Sequence, residues 1–440
     1  MSGLFGDLPE ALKPLAGDNA GAARLREPDR RQAELQLCDL EQLISADHPA
    51  RVFWAYVCAL DLSALDGRVK SREGRPGHPA LPAKLALALW LYAFSDGVGS
   101  ARELERLCLS EAAYRWLCGG VSVNHHTLSD FRTGERALID RLLVEHVAAL
   151  ARAGLIDLDE IAQDGVRVRA GAGAASFRRR KTLEAKAAAA LAVLAADEAA
   201  GPGASAERRQ AKARRAAERQ AAKVAHALRE LKKLEAQREE RAKTHKASAA
   251  KQKEPRASTT DPEARVMKMA DGGFRPAYNI QIASLPASGI VLAVSAGNAG
   301  SDRGLATPMR EKTAKAHGVK PRRWLADGGF QAKGCIEAAA ADGVGFYCPP
   351  GESKQGGDPY APKRGDTPAI AEWRKRMQTD EAKAIYRRRA IGELRNAVLT
   401  NLNLHKLILR GLAKAETVMI WFALSTNILT GHRLEAERNA

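Results

Sequence analysis

None of the six cysteines (38, 58, 108, 118, 335 and 348) stands in a Cys-x-x-Cys pair. That spacing speaks against a zinc ribbon and against a disulfide framework. The first ten residues, Met-Ser-Gly-Leu-Phe-Gly-Asp-Leu-Pro-Glu, lack the basic start and apolar run of a secretory signal. A membrane-spanning helix needs about 20 apolar residues. The two most apolar windows, Leu85 to Phe94 and Val418 to Leu429, fall short of that. These absences predict a soluble protein of a reducing, cytoplasmic compartment with no membrane partner.

What the chain does have is positive charge, with 69 Lys and Arg against 52 Asp and Glu, a net +17 over 440 residues. Such an excess suggests a polyanionic partner, most often nucleic acid. Hydrophobic residues make up 45%, which excludes wholesale disorder. The length suits roughly two to four domains of about 100–200 residues each. The charge is concentrated. Residues 178–256 hold 22 Lys and Arg and 10 Asp and Glu, leaving only +5 for the other 361 residues. This segment is rich in Ala, Lys, Arg, Glu and Gln, all good helix formers, with a break at Gly201-Pro202-Gly203. Two long helices are expected, about 179–199 and 206–246, with Val224, Leu228 and Leu231 at helical spacing and Leu234 beside them. Composition fits a solvated arm as well as one that neutralises phosphates.

Residues about 30–150 read as helical. The stretch Leu85 to Phe94 suggests a core helix. Ser100 and Glu103 have the spacing of a capping box. Gly119-Gly120 closes another short helix, and Asn124 or Thr127 caps a third. Short helices joined by tight turns fit a helix-turn-helix or a plain bundle. From Leu155 to Val168 apolar and polar residues alternate, as in a strand. After the basic segment, strands are expected at 278–283, 290–294, 323–326 and 344–348. Helices are expected at 302–317, 333–341 and about 370–430. This order makes a mixed α/β layered domain with one long insertion.

Asp164 and Asp327 each end a strand and are each followed by glycine, which leaves room for a phosphate to approach. Glu393 lies among Arg387, Arg388, Arg389 and Arg395. A salt-bridged surface helix is the ordinary explanation of that pattern. A metal-binding carboxylate on a phosphate-binding surface is the other. Three carboxylates on separate elements suit hard divalent cations. Asp157, Asp159 and Glu160 compete with Asp164. Asp271 reads as a turn residue and Asp302 as a helix cap.

Tyr386, Arg389 and Glu393 resemble the Tyr-Arg-Glu signature of DDE transposases from bacterial insertion sequences. Gln163-Asp164-Gly165 and Leu325-Ala326-Asp327-Gly328-Gly329 look like that family's two catalytic aspartate motifs. Gly74 to Pro79, Ser100 to Glu105 and Asn124 to Arg132 resemble its helical N-terminal domain, and Asp261 to Ile282 its stretch after the insertion. The resemblance spans about residues 45–430. It implies an RNase H-like mixed sheet flanked by helices, with Asp164, Asp327 and Glu393 as catalytic metal ligands. It also implies two Mg²⁺ ions, with Mn²⁺ as a substitute, and Tyr386 and Arg389 at the DNA end. One position departs: Thr400 stands where the signature has Lys. It keeps a hydroxyl for a phosphate but loses the charge, which Arg395, His405 or Lys406 would replace.

On this reading residues 1–45 form an extension and 46–150 a helical DNA-binding domain. Residues 151–177 and 257–430 form the catalytic domain, 178–256 a basic insertion and 431–440 a tail. The implied partners are double-stranded DNA, as terminal inverted repeats and target, and a second copy or more of the chain. The implied location is the bacterial cytoplasm, on the nucleoid. The implied reaction is DNA cleavage and strand transfer. A nuclease without transfer and a non-catalytic DNA-binding remnant are the alternatives.

Overall fold

The computed structural model describes residues 39–74, 79–197, 204–244, 254–351, 357–390, 402 and 404–440. It begins with a helical region: α1 (Pro49–Cys58), α2 (Ser63–Asp66), α3 (Ala83–Ser95), α4 (Ala101–Ser110), α5 (Ala112–Cys118), α6 (His125–Gly134) and α7 (Arg136–Arg152). Local chemistry sets the helix ends. Ser100 Oγ accepts the Glu103 amide at 3.4 Å, capping α4. The Glu103 carboxylate turns to Arg106 instead of back to the cap, so only half of the expected capping box forms. Gly119, at φ 55°, ends α5 in the left-handed conformation. Asn124 caps α6 by accepting the His126 amide at 2.8 Å. Helix α3 is buried on nearly every side, as a helix that is apolar all round must be.

Strand β1 (Glu160–Arg169) follows. It starts later than the alternating pattern from Leu155 suggests, because Asp157 Oδ1 accepts the Asp159 amide at 2.9 Å and makes a turn there. The chain then leaves through β2 (Phe177–Arg178), α8 (Arg180–Asp197) and α9 (Ala204–Thr244), and returns through β3 (Ala257–Ser258), which pairs with β2. Leu183 of α8 packs with Val224, Ala227 and Leu231 of α9 and with Ala257. The arm is therefore a hairpin of two helices with a thin apolar seam. Buried Glu230 ties it down by pairing with Arg265 at 2.8 Å and Lys233 at 2.6 Å.

The remaining elements are β4 (Arg265–Lys268), β5 (Phe274–Ser284), β6 (Val291–Gly297), α10 (Ala306–His317), β7 (Arg323–Ala326), α11 (Lys333–Ala341), β8 (Gly345–Tyr347), α12 (Pro368–Gln378), α13 (Asp380–Arg387) and α14 (Leu412–Asn439). They complete a mixed sheet. Strand β1 lies between β5, antiparallel with Val166 opposite Ile280, and β7, parallel with Gln163 opposite Ala326. Strand β8 lies parallel outside β7. Strands β4 and β6 share the far edge of β5, on Phe274–Ala277 and Asn279–Ser284 respectively.

Two expectations about helices need correction. Helix α10 starts at Ala306 and not at Asp302. The Asp302 carboxylate is engaged on the sheet, where Oδ1 accepts from Asn279 and Gln281, each at 2.7 Å, so it caps no helix. The region 370–430 is also not helical throughout. Residues 404–411 run extended or turning, and Leu407 donates to the Arg169 carbonyl at 2.8 Å.

Helix α14 joins the helical region to the sheet. Both share one apolar cluster with it, from Phe53 and Trp90 through Trp421 to Ile280 and Val294. Trp421 stacks near Phe94 with ring centroids 6.0 Å apart. Buried polar groups on α14 find partners at once. Ser425 Oγ donates to the Leu91 carbonyl at 2.6 Å, and the Asn427 amide pairs both the N–H and the C=O of Val291, at 2.8 and 2.7 Å. Glu416 accepts from Arg136 at 2.6 Å, Lys312 at 2.8 Å and the Ala296 amide at 3.2 Å. Both apolar windows of the sequence are thus core helices. Among the described residues no helix is long and apolar enough to cross a membrane.

Candidate active site

Two parallel strands set the geometry. Gln163 of β1 is opposite Ala326 of β7. One residue further along each strand stand Asp164 and Asp327, and the extended backbone of Asp327 (φ −73°, ψ 172°) continues the strand direction. Neighbouring strands run about 4.8 Å apart, and residues in register point to the same face. The two aspartates are therefore side by side on one face, and both are half-buried. Asp327 Oδ1 accepts the Gly329 amide at 2.8 Å, which fixes its rotamer.

The glycines have different tasks from those the sequence suggests. A Cβ on Gly165 would lie 2.6 Å from both Asp302 Oδ1 and Gln281 Nε2. Gly165 is thus required by close packing on the face away from Asp164, not by an approaching phosphate. A Cβ on Gly329 would meet Asp327 Oδ1 at 2.9 Å, so this glycine lets the carboxylate fold back onto its amide. Gly328 and Gly329 are exposed, which leaves the approach to Asp327 open.

Beneath the pair lies a polar chain that sequence reasoning missed. Trp324 Nε1 donates to Gln163 Oε1 at 3.2 Å, Gln163 Nε2 donates to Gln281 Oε1 at 2.8 Å, and Gln281 reaches Asp302. Alternation of Gln163 and Gly165 against Asp164 places it on the opposite face, and nothing in the one-dimensional spacing marked it. Cys348 was missed as well. It follows β8, and its thiol donates to the Asp327 carbonyl at 3.0 Å. Burial first, then the nearby Asp327, push this thiol up to about 12, so it stays protonated.

Tyr386 and Arg389 come to this same corner. The Arg389 guanidinium sits 5.0 Å from the centre of the Tyr386 ring. Burial raises the Tyr386 hydroxyl above its usual range, and Arg389 opposes that; Cys348 and Asp327 are close enough to raise it further. Glu393, Arg395 and Thr400 lie outside the described residues. Among the described residues no three His, Cys, Asp or Glu side chains converge as a metal site.

The rival acids are engaged elsewhere. Asp159 pairs with Arg322, and Glu160 with Arg388 at 3.3 Å and Arg323 at 3.4 Å, all at the start of β1. Asp271 accepts the Gly273 amide at 3.0 Å in the turn between β4 and β5. In the helical region Arg132 is buried over the Trp90 ring at 4.6 Å and donates to the Gly99 carbonyl, a packing role.

An α/β fold that presents two carboxylates from adjacent parallel strands, with a Tyr-Arg pair near Asp327, is an arrangement compatible with metal-assisted phosphoryl transfer. Family comparison makes the class specific. Residues 38–134 match the family described as Transposase domain (DUF772), and residues 241–428 match Transposase DDE domain. The second match contains Asp327, Tyr386 and Arg389 and begins after Asp164. Searches of curated proteins and of solved structures gave no match. The chain belongs to the DDE transposases of insertion sequences. Membership implies a dependence on divalent metal and DNA as the partner.

Proposed function

We propose that this transposase cuts DNA at the ends of its element and joins the released 3′-OH to target DNA, with Asp164, Asp327 and Glu393 as the catalytic set. The observation that carries this reading is the parallel register of Gln163 and Ala326, which seats Asp164 beside Asp327. The strand order supports an RNase H-like core: β6, β5 and β1 run antiparallel in succession, and β7 and β8 lie parallel to β1.

The donor set fits Mg²⁺ or Mn²⁺, since all three groups are carboxylates and hard cations take oxygen ligands. Asp164, Asp327 and Glu393 would hold two such ions, which when bound activate the attacking oxygen and offset charge at phosphorus. Asp327 presents its carboxylate in one rotamer, held by the Gly329 amide. Arg389 supplies a fixed positive charge for the phosphate beside the cut. Tyr386, with its proton held by burial, offers a hydroxyl for the same phosphate.

The helical region of 46–150 reads the terminal repeat, and the arm of 178–256 neutralises backbone phosphates. The catalytic unit is 151–177 with 257–430, and assembly on DNA joins two or more copies. The test is strand cleavage on terminal inverted-repeat DNA, followed by joining of pre-cleaved ends. Asp164→Asn that cuts as fast as the unaltered protein would sink the assignment. Failure to join pre-cleaved ends would leave a nuclease.

A further inference from the structure

Past Gln163, β7 no longer pairs with β1, and another piece of chain takes over that side. Arg169 donates to the His405 carbonyl at 3.1 Å, and Leu407 donates to the Arg169 carbonyl at 2.8 Å. On the other side of β1, β5 begins at Phe274, just after the Asp271–Gly273 turn. Between these two strips runs the loop Ala170–Ala174, which alternates Ala and Gly. A Cβ on Gly171 would come 3.2 Å from the Leu407 carbonyl, closer than most Cβ contacts, so glycine eases the close approach of the strips. Around Gly173 there is open space.

The result is a groove whose floor bears nothing larger than a methyl group. Its walls are Phe274 and Arg275 on one side and Lys406 and Ile408 on the other. Phe274 is 69% exposed and Ile408 62%. Large apolar groups so exposed in one small groove point to a bound partner. Arg169 and Lys406 are exposed at the same place; Asp271, which pairs with Arg275 at 2.6 Å and lies near Arg169, offsets part of this charge, and the remaining positive charge favours a partner with negative charge next to flat apolar faces. Nucleic acid has both. In a duplex the base faces are hidden in the stack and only the edges are open. An exposed ring that lines a groove stacks on a base face at least cost where the strand is unpaired, because a duplex must first be kinked and unstacked.

We propose that this groove holds an unpaired stretch of DNA flanking the cut, with one base stacked on Phe274 and its phosphates on Arg169 and Lys406. The position rests on the assignment of Asp164 above. Five residues of strand separate Asp164 from Arg169, about 17 Å, a span of a few nucleotides of DNA. On this proposal the groove takes strand that has left the duplex near the end. It positions DNA and does not take part in the chemistry.

The test measures binding of the full chain to single-stranded oligo(dT) and to a blunt duplex of equal length, by fluorescence anisotropy in metal-free buffer. Phe274→Ala should weaken oligo(dT) binding about tenfold, with duplex binding changed less than about twofold. Phe274→Trp should restore it. Lys406→Ala should weaken both probes and flatten the salt dependence by about one charge. Phe274 is on the surface, so the thermal midpoint should not move. Unchanged oligo(dT) binding by Phe274→Ala overturns the proposal, as does an equal loss on both probes. A change of oligomeric state without DNA would make the groove a self-contact and also overturn it. No cleavage is read, so this result is separate from the fate of the Asp164 assignment.

Discussion

The sheet around Asp164 and the hairpin of α8 and α9 sit at opposite ends of a trade between charge and packing. The arm contributes most of the net positive charge and is held by a seam of a few apolar side chains with one buried carboxylate, Glu230. The catalytic unit, 151–177 with 257–430, carries a smaller and more dilute excess of +8, and its two acids are fixed by backbone register, a thoroughly packed core and the α14 clamp. Attraction of DNA needs many charges in loose positions, because counterion release does not depend on fine geometry. Cutting it needs a few groups placed to within a fraction of an ångström. On the proposed division of labour, the chain would meet the two demands with different amounts of buried structure.

Removing single groups should show that difference at once. Asp164→Asn or Asp327→Asn should lower strand cleavage on the order of a thousandfold. Retained DNA binding in a shift assay would show that the sheet supplies the reaction and not the affinity. A comparable loss of binding would erase the contrast. Next in size, Trp421→Ala should destabilise the protein by about 3–5 kcal/mol, read by denaturant unfolding, because it opens a cavity against Phe94. Asn427→Ala should cost about 2–3 kcal/mol, since it leaves the Val291 N–H and C=O unpaired in the core.

For the arm, deletion of 178–256 should weaken DNA binding at least about tenfold near 0.1 M salt and flatten its salt slope, with cleavage chemistry on pre-bound ends kept. An unchanged slope would make the arm a spacer. The smallest effect concerns Asp366, under α11. Burial alone would raise this carboxyl, but the Lys363 amide, Arg374 and Lys333 outweigh burial and hold it at about 2. A depressed folded value means its contribution is present above the unfolded value of 3.8 and is lost as pH falls toward about 2. Asp366→Asn should remove that part of the acid sensitivity, checked by thermal melts between about pH 2 and 5.

Much of this was legible in the sequence because side-chain period and glycine placement are local. Arg323–Ala326 and Lys333–Ala341 form the strand and helix that their patterns suggest. Alternation around Asp164 marked it as a strand residue, and composition marked the segment holding Tyr386 as helical. Contacts between distant segments left no such trace. Asp302 looks like any helix cap until Asn279 and Gln281 come across the sheet to claim it. Gly165 looks like a gap for a ligand until Gln281 fills it. The strand β4 was invisible for a related reason: four residues that pair on the edge of β5 have too short a period to read.

Helix α14 also sets a clock. Residues 412–439 are synthesised after every element they bring together, so Phe94 must wait for Trp421 while some three hundred further residues are made. At roughly 5–20 residues per second that delay is on the order of 20–60 s. For that time the apolar faces of α3 stand without their final cover, open to chaperones or to another nascent chain. The enzyme cannot be assembled, and cannot cut, until translation has passed beyond its whole catalytic sheet.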